Sequence, residues 1–348
     1  MNPLSSKVIK KEELQNFLNS LRKSYKVYTP VQENDFYSFK LLTDEQKPDL
    51  NFTNTRLSPK SLIFPQSERM FEFSLDKKNE TAYILKEPLK DYPPAVIMGI
   101  RPCDAKALKL MNVNFDNPQF KDPWWCKRIN SMTFIGIGCN DPENTCFCTS
   151  VNCGPFNEEG LDVILFDLGE NYLAKALNEK GAEVLEAGGI DKEANSSLLK
   201  KADELRVKAE KKIISYVPTD KLKEKDVNEL FNASFWDEVA FACINCGLCT
   251  FLCPTCWCFD IQDEVTKKQG DLIRNWDSCM FPLFTLHASG HNPRAEKVQR
   301  VRQRFMHKLK YYLDKYNNGV ACVGCGRCIK FCPVNIDIRE VFKLMNQV

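Results

Sequence analysis

The sequence predicts an α/β amino-terminal domain over residues 1–235, followed by a mainly helical, cysteine-rich domain over residues 236–348. In the first part, short apolar runs alternate with helical patterns, which is typical of a parallel sheet covered by helices. In the second part, short helical patterns surround eleven of the seventeen cysteines, all of them between positions 243 and 332.

The apolar patterns of the first domain predict its elements in order. Predicted strands cover 26–30, 70–75, 81–87, 94–100, 132–138 and 161–168. Predicted helices cover 10–24, 104–113 and 191–216. The strands 70–75 and 81–87 are expected to pair as a hairpin around a polar turn. The strands 94–100 and 132–138 are expected to be buried parallel neighbours, because they are uninterrupted apolar runs separated by a helix.

The overall composition excludes several classes of protein. Lys plus Arg (48) nearly balances Asp plus Glu (46), and the net charge is +2. We therefore expect no nucleic-acid partner. With 43% hydrophobic and 27% charged residues, the chain is expected to fold rather than to remain disordered.

The seventeen cysteines are the unusual feature of the composition. Residues 1–14 contain no apolar segment after their first charges, so we expect no secretory signal and a cytoplasmic location. Cytoplasmic thiols stay reduced, and metal ligation therefore explains the cysteines better than disulfides do. Residues 239–259 carry no charge and are long enough to cross a bilayer. Six cysteines and Pro254 interrupt them, however, so no membrane span is expected.

The pattern C-x2-C-x2-C-x3-C-P occurs twice in the second domain. Its first copy consists of Cys243, Cys246, Cys249 and Cys253, and its second copy of Cys322, Cys325, Cys328 and Cys332. This is the bacterial ferredoxin run for a [4Fe–4S] cluster. Three closely spaced cysteines wrap a loop around three irons, and the fourth opens a helix that points away. Two complete copies therefore predict a mainly helical two-cluster ferredoxin domain with two [4Fe–4S] clusters.

The spacing also predicts which cysteines hold each cluster, because the fourth cysteine of a run ligates the other cluster. The expected ligands of the first cluster are Cys243, Cys246, Cys249 and Cys332. Those of the second cluster are Cys322, Cys325, Cys328 and Cys253. The long segment between the runs does not fit a compact β-α-β ferredoxin, so helices are expected to join the cluster loops. Electron transfer needs no acid–base group, and no catalytic residue is predicted.

Two other metal chemistries fit parts of the same pattern. The C-x2-C pairs alone would suit zinc. Cys249, Cys253 and Cys256 match the C-x3-C-x2-C spacing of radical S-adenosylmethionine enzymes. That interpretation would remove two ligands from the ferredoxin pattern, and no long β/α repeat surrounds the motif. We therefore favour the two [4Fe–4S] clusters.

The segment 294–311, between the two runs, is basic. Against one acid, Glu296, it carries Arg294, Lys297, Arg300, Arg302, Arg304, Lys308 and Lys310. One interpretation is a solvated helix face. The other is charge compensation, because a [4Fe–4S] core with four thiolates is anionic and nearby cations raise its reduction potential. The same face would also suit an acidic partner.

Four cysteines of the first domain lie at the ends of predicted strands. They are Cys103, after the strand 94–100, and Cys139, Cys146 and Cys148, after the strand 132–138. If the two strands are parallel neighbours, their following loops meet at one edge of the sheet, and we expect the four thiols to converge. One interpretation is a third Fe–S cluster or another metal such as zinc. The other is that they are buried thiols packing as small apolar groups.

The chain carries no fingerprint for a nucleotide. No G-x-G-x-x-G follows a strand, and no G-x-x-x-x-G-K-[ST] occurs. We therefore expect that this chain itself binds no flavin or NAD(P). Cys256, Cys258 and Cys279 follow the first run, and the sequence assigns them no role.

Five segments carry a family resemblance: GIRPCDAKAL (99–108), GCNDPENTCFCTS (138–150), CPTCWCFDI (253–261), RNWDSC (274–279) and RQRFMHK (302–308). They resemble the beta subunit of cytoplasmic sulfhydrogenases and, equally, the dicluster iron–sulfur subunit of anaerobic sulfite reductase. The resemblance runs from near residue 20 to near residue 340. It implies a subunit that carries [4Fe–4S] clusters and passes electrons. A companion flavoprotein would handle NAD(P)H, and another subunit would perform the terminal chemistry.

The expected function is therefore that of an electron-transfer iron–sulfur subunit in a soluble anaerobic oxidoreductase complex. One expected partner is a flavoprotein NAD(P)H-oxidoreductase subunit. The other is a terminal catalytic subunit, such as a hydrogenase or a reductase of sulfite or another sulfur compound. The alternative is a catalytic subunit, a disulfide or sulfur-compound reductase whose amino-terminal cysteines hold a third, substrate-binding cluster. A third interpretation is an oxygen-sensing regulator, but the sequence contains no recognisable DNA-binding helix pair.

Overall fold

The computed structural model describes residues 5–348, so residues 1–4 of the opening segment lie outside it. Within this range the ten strands, β1–β10, are Ser5–Lys10, Lys26–Glu33, Phe36–Leu41, Ser67–Ser74, Ala95–Ile100, Met132–Ile137, Val163–Asp167, Asn171–Ala176, Phe259–Thr266 and Gln269–Trp276. The twelve α-helices there, α1–α12, are Leu14–Leu21, Pro102–Phe115, Pro123–Ser131, Glu179–Ala187, Ser196–Lys211, Val227–Asn232, Phe235–Phe241, Leu248–Phe251, Lys297–Met306, Tyr312–Tyr316, Arg327–Lys330 and Ile338–Gln347. Short 3-10 helices cover Lys11–Glu13, Pro59–Leu62, Cys148–Val151, Asp220–Lys223 and Pro282–Thr285, and a π-helical turn covers His307–Tyr311.

Seven strands form the larger sheet, in the order β1-β8-β7-β6-β5-β2-β3. Its centre is parallel: β2 pairs with β5, β5 with β6, and β6 with β7. The outer strands β1, β8 and β3 are antiparallel to their neighbours. Every residue of β5 and β6 is buried, which explains why both were visible in the sequence as uninterrupted apolar runs. The prediction that these two strands are parallel neighbours is confirmed.

Helices cover both faces of this sheet. Val96 and Met98 of β5 belong to a core formed with α1 and α4, whereas Ile97 lies on the opposite face with α2, α3 and α5. The alternation follows from the two-residue period of a strand. Burying each large apolar side chain stabilises the fold by about 1.5–3 kcal/mol. This α/β architecture holds the loops that follow β5 and β6 on a rigid base.

The smaller sheet has three strands, in the order β4-β10-β9. The predicted hairpin of 70–75 with 81–87 is wrong. Residues 81–87 make only isolated bridges to β4, between Glu72 and Lys86 and between Ser74 and Ala82. β4 instead pairs with β10 from Gln269 to Asn275, because the distant strand offers a nearly continuous antiparallel ladder.

The carboxy-terminal region contains the helices α7–α12 around a core that includes Trp236, Phe305 and Phe342. The prediction that it is mainly helical is not confirmed, since β9 and β10 lie within it. The domain boundary at residue 235 stays a prediction, and the β4–β10 pairing joins strands from both sides of it. In the described part of the chain, no helix combines the length and the apolar character needed to cross a bilayer.

Candidate iron–sulfur sites

The first cluster site is the group of cysteines predicted to hold the first cluster: Cys243, Cys246, Cys249 and Cys332. All four line one cavity. Asn245 and Gly247 have positive φ angles of 52° and 74°, which turn the chain around the cavity before α8 begins. The structure thus brings the last cysteine of the second run to the first three cysteines of the first run. This placement agrees with the crossed ligation, which itself stays a prediction.

The second cluster site is the complementary group: Cys253, Cys322, Cys325 and Cys328. Burial raises the pKa values of Cys322, Cys325 and Cys328, and the nearby Cys253 sulfur raises each of these pKa values further. Cys253 is therefore close enough to the other three thiols of this site to interact with them electrostatically, and its own thiol hydrogen-bonds that of Cys256. Cys328 also lines the cavity of the first cluster site, so the two sites are adjacent.

Backbone amides point at the sulfur atoms of both sites. The amide of Asn245 donates to Cys243 Sγ at 3.4 Å, and the amide of Gly324 donates to Cys322 Sγ at 3.5 Å. Each donor lies two residues after the first cysteine of its run, so the two runs share this local geometry. Ile336 donates to Cys332 Sγ at 3.2 Å. Amide donors of this kind stabilise thiolate charge and raise the potential of a bound cluster.

Arg304 of α9 lies between the two cluster sites. It is buried, and burial lowers its pKa, but the sulfurs of Cys249 and Cys328 outweigh this effect and raise the pKa of Arg304 above its usual range. Its Nε and Nη2 atoms have no hydrogen-bond partner among the residues that the structure describes. A buried guanidinium needs acceptors and a counter-charge, and an anionic cluster would supply both. This orphaned donor is therefore an observation that fits bound clusters.

Two buried lysines lie near the second cluster site. Lys308 Nζ donates to Thr255 Oγ1 at 2.6 Å and to Ala321 O at 2.8 Å. Lys60 Nζ, from the amino-terminal region, donates to Cys253 O at 2.8 Å and to Cys256 O at 2.9 Å. Lys60 was not identified from the sequence, because a single lysine far from the cysteine runs gives no local signal.

The basic segment 294–311 is not a uniformly solvated face. Arg300, Arg304, Lys308 and Lys310 are buried. The solvated-face interpretation is therefore wrong for these four residues. The charge-compensation interpretation is supported for Arg304 and Lys308, which lie beside cluster-site cysteines, whereas Lys310 donates to the backbone oxygens of Leu222 and Lys223 at 3.1 and 3.0 Å.

The three cysteines after the first run lie close to the second cluster site. Asp277 donates its amide to Cys258 O at 3.0 Å, which continues the β9–β10 pairing beyond the strands. This brings Cys279 to Cys258, and the hydrogen bond from the Cys279 thiol lowers the pKa of Cys258 to about 7. The Cys256 thiol likewise forms a hydrogen bond with the Cys253 side chain. All seventeen cysteines lie within residues 5–348, and none of them forms a disulfide there.

The amino-terminal cysteine site is the third group named from the sequence: Cys103, Cys139, Cys146 and Cys148. The four line one cavity, so the structure brings them together. Cys325 of the second cluster site lines the same cavity. Whether these thiols hold a metal stays a prediction.

Arg101 is a further residue of the amino-terminal cysteine site that the sequence analysis missed. It lines the cavity and is buried, and its Nη1 donates to Gly138 O at 2.7 Å. Its Nε finds no hydrogen-bond partner within the described chain. In the sequence, Arg101 could have been found only from its position two residues before Cys103, in the segment GIRPCD.

Across residues 5–348, no three His, Cys, Asp or Glu side chains stand close enough together to hold a single metal ion. The ligands of a [4Fe–4S] cluster bind separate irons. The cysteines of the first cluster site and of the amino-terminal cysteine site each line a common cavity instead.

Comparison with known proteins agrees with this geometry. A family model described as a 4Fe-4S dicluster domain matches residues 242–336, which include both cysteine runs. The carboxy-terminal part of the chain is thus an iron–sulfur domain, and a dicluster domain indicates two [4Fe–4S] clusters.

The whole chain is similar to a curated relative, "Sulfhydrogenase 2 subunit beta" of Pyrococcus furiosus. The two are 32% identical over 337 residues, which cover 95% of each chain. The chain belongs to the family of sulfhydrogenase beta subunits, and the predicted resemblance to that family is confirmed. The equal resemblance to the iron–sulfur subunit of anaerobic sulfite reductase stays a prediction. No solved structure shows significant similarity.

Proposed function

We propose that this chain is the electron-transfer iron–sulfur subunit of a cytoplasmic, anaerobic oxidoreductase complex. It relays single electrons between a flavoprotein subunit that binds NAD(P)H and a terminal catalytic subunit. The dicluster domain and the relationship to a sulfhydrogenase beta subunit support the proposal. The terminal subunit is a hydrogenase or a reductase of sulfite or another sulfur compound.

The observation that carries the proposal is the adjacency of the two cluster sites. Cys328 of the second site lines the cavity of the first, and Arg304 lies beside cysteines of both. Two one-electron centres held this close exchange electrons without a mobile carrier. The same guanidinium stabilises added negative charge on either side, which favours reduction of both centres.

The exposed end of this relay lies at the first cluster site. Cys246 is the only exposed one of the cysteines, all of which the structure describes. Two large apolar side chains lie close to it in the chain and are also exposed, Phe241 at 84% and Ile244 at 62%. An exposed ligand with apolar neighbours suits contact with a partner's redox centre, since apolar contact excludes water from the path. We therefore place the exchange with one partner subunit here.

The chemistry of the two carriers decides which step each subunit performs. A [4Fe–4S] cluster supplies one-electron chemistry, whereas NAD(P)H gives up a hydride, so a flavin in a partner is needed to convert between the two. This chain's thiolates hold the clusters, its amides and buried cations stabilise their charge, and no side chain has to transfer a proton.

The test uses the full chain, purified anaerobically with and without its co-purifying subunits. Alone, it should be brown, free of flavin, reducible by dithionite and unreactive with NADH or NADPH. Adding back the flavoprotein subunit should allow NAD(P)H to bleach the iron–sulfur absorbance. Stoichiometric flavin in the isolated chain, or direct reduction by NAD(P)H, would contradict the proposal.

The second candidate function is a catalytic subunit with a substrate-binding third cluster, acting on a disulfide or a sulfur compound. It rests on one observation, that the four amino-terminal cysteines line one cavity, and it requires that one of them leaves an iron open to the substrate. A substrate-binding cluster would change its EPR spectrum when sulfite or a disulfide is added to the isolated chain. An unchanged spectrum would leave the electron-transfer function as the better one.

A further inference from the structure

We propose that Cys103, Cys139, Cys146 and Cys148 hold a third [4Fe–4S] cluster beside the second cluster site. The cluster would add a centre to the two-cluster relay proposed above. Its test counts iron in the isolated chain, so it can fail while the relay stands, and the relay can fail while the third cluster is present.

The fold itself assembles this site. β5 and β6 are parallel neighbours, so the loops that follow them meet at one edge of the sheet. Cys103 lies in the first turn of α2, directly after β5, and Cys139 lies two residues after β6. Cys146 and Cys148 return to the same edge on the loop that follows. Residues up to 45 positions apart are thereby brought to one edge of the sheet.

The amino-terminal cavity resembles that of the first cluster site. Each cavity is lined by a full set of four predicted ligand cysteines. Each cavity is also lined by one buried arginine, Arg101 in the amino-terminal cavity and Arg304 at the first cluster site. The cavity of the first cluster site lies in the matched dicluster domain. Its similarity to the amino-terminal cavity therefore favours the same kind of occupant in both.

Arg101 is the strongest indication that the occupant is anionic. Its guanidinium is packed over the Phe52 ring, 4.2 Å from the ring centroid, and it donates to Gly138 O. The nearby carboxylate of Asp104 is already paired with Arg327 at 2.6 Å. Within the described chain, Arg101 is thus left with a buried charge and a free donor. Four thiols that stayed protonated would leave that charge uncompensated, whereas a ligated cluster carries negative charge on its thiolates and sulfides.

The proposed cluster would lie against the second cluster site. Phe147 donates its amide to Gly324 O at 2.9 Å, so the two cysteine loops touch through their backbones. Gly324 has φ +63°, and a Cβ there would lie 2.5 Å from the Cα of Cys148. Cys325 lines the amino-terminal cavity directly. The second site therefore lies between the other two, with Cys328 facing one cavity and Cys325 the other.

This arrangement defines the role of the third cluster. Four thiolates complete the coordination of a cubane and leave no iron free for a substrate. The third cluster is therefore a relay centre, and it extends the path from the exposed first site through the second into the α/β domain. The partner at that end would be a second redox subunit, different from the one at Cys246.

The decisive experiment counts iron and acid-labile sulfide in the full chain after anaerobic purification and reconstitution. We expect about twelve irons in the native chain and about eight in the double variant Cys146→Ser/Cys148→Ser, since each [4Fe–4S] cluster contributes four. The EPR signals of the two ferredoxin-type clusters should persist in the double variant. Cys126→Ser is the matched control, because Cys126 lines neither cavity, and it should retain about twelve irons.

About eight irons in the native chain, or stoichiometric zinc with no third cluster, would overturn the proposal. If the double variant fails to fold, Arg101→Gln gives an independent answer because it keeps every thiol. We expect it to lower the potential of one cluster only, or to lose about four irons. Unchanged iron content and unchanged potentials in this variant would count against the proposal.

Discussion

The two cysteine runs have identical spacing but different surroundings. In the first run, Cys246 is exposed and has exposed apolar neighbours. In the second run, the corresponding Cys325 is enclosed by loops of the α/β domain and faces the cavity of the amino-terminal cysteine site. The spacing fixes the chemistry of a cluster, whereas the packing around the run decides whether that cluster faces a partner or another cluster.

The largest expected effect tests whether the two runs exchange their fourth cysteines. Cys253→Ser should remove the cluster held by Cys322, Cys325 and Cys328, because the Cys253 sulfur is within electrostatic range of all three. Cys332→Ser should remove the cluster of the first run, whose cavity Cys332 lines. Each variant should lose about four irons, and EPR of the reduced protein identifies the missing signal. Loss confined to the first-run cluster in Cys253→Ser would show that the ligation is not crossed.

The exposure of the first run predicts a difference in rate rather than in iron content. Phe241→Glu should slow the exchange of electrons with the partner by about tenfold, because a charge at an apolar contact destabilises docking by more than about 1 kcal/mol. Phe241, unlike Ile244, does not line the cavity of the first cluster site. Iron content and cluster potentials should stay unchanged. Stopped-flow reduction by the partner measures the rate.

Phe120→Glu is the matched control for this variant. Phe120 is 72% exposed, follows α2 in the chain and lines neither cysteine cavity. It should react at the native rate. Equal slowing in both variants would mean that the exposed end of the relay is not at Cys246.

Arg304 provides a test of what the two sites share. Arg304→Gln should lower the reduction potentials of both ferredoxin-type clusters, by about 60 mV each, which corresponds to a tenfold change in a one-electron equilibrium. Arg304→Lys should restore most of the shift, because it keeps the charge. Redox titration followed by EPR measures both potentials. Arg302→Gln, on the same helix but stacked on Phe231, should leave them unchanged. A shift of one cluster alone would place Arg304 at a single site.

The sequence predicted the parts of the fold that have a strong local signal. β5 and β6 are buried on both faces and therefore appear as apolar runs, and the cysteine spacing is explicit. The β9–β10 hairpin was missed because β9 is mostly exposed and Asp263 interrupts the apolar alternation of its sequence, FDIQDEVT. β4 was assigned the wrong partner because its true partner, β10, lies almost two hundred positions further along the chain.

The candidate sites show the same limit. Cysteines can be recognised by type and spacing, but the cations that compensate their charge cannot. Arg101, Lys60 and Arg304 come from three distant segments, and only packing brings them to the cysteines. A buried arginine with an unpaired donor is a property of the assembled structure, because its burial and its missing partner are both set by other parts of the chain.

The smallest expected effect compares the glycines at the same motif position in the two runs, Gly247 and Gly326. Both have positive φ, 74° and 71°, so alanine is strained at either position. An alanine Cβ at 247 would lie 2.7 Å from the Phe281 ring, a side chain that can shift. At 326 it would lie 2.7 Å from the backbone oxygen of Thr145, which is held in the α/β domain and cannot shift cheaply.

Gly326→Ala should therefore destabilise the protein more than Gly247→Ala, by roughly 1 kcal/mol beyond a shared cost of similar size for the strained φ. Anaerobic thermal unfolding of both variants, with iron content verified first, measures the difference. If both variants lose equal stability, the positive φ alone determines the cost, and the second run is not held more tightly than the first. If Gly247→Ala is the more damaging, the contact between the second run and the α/β domain is looser than the structure indicates. The second run would then not be the more enclosed of the two at Gly326, where its contact with that domain is closest.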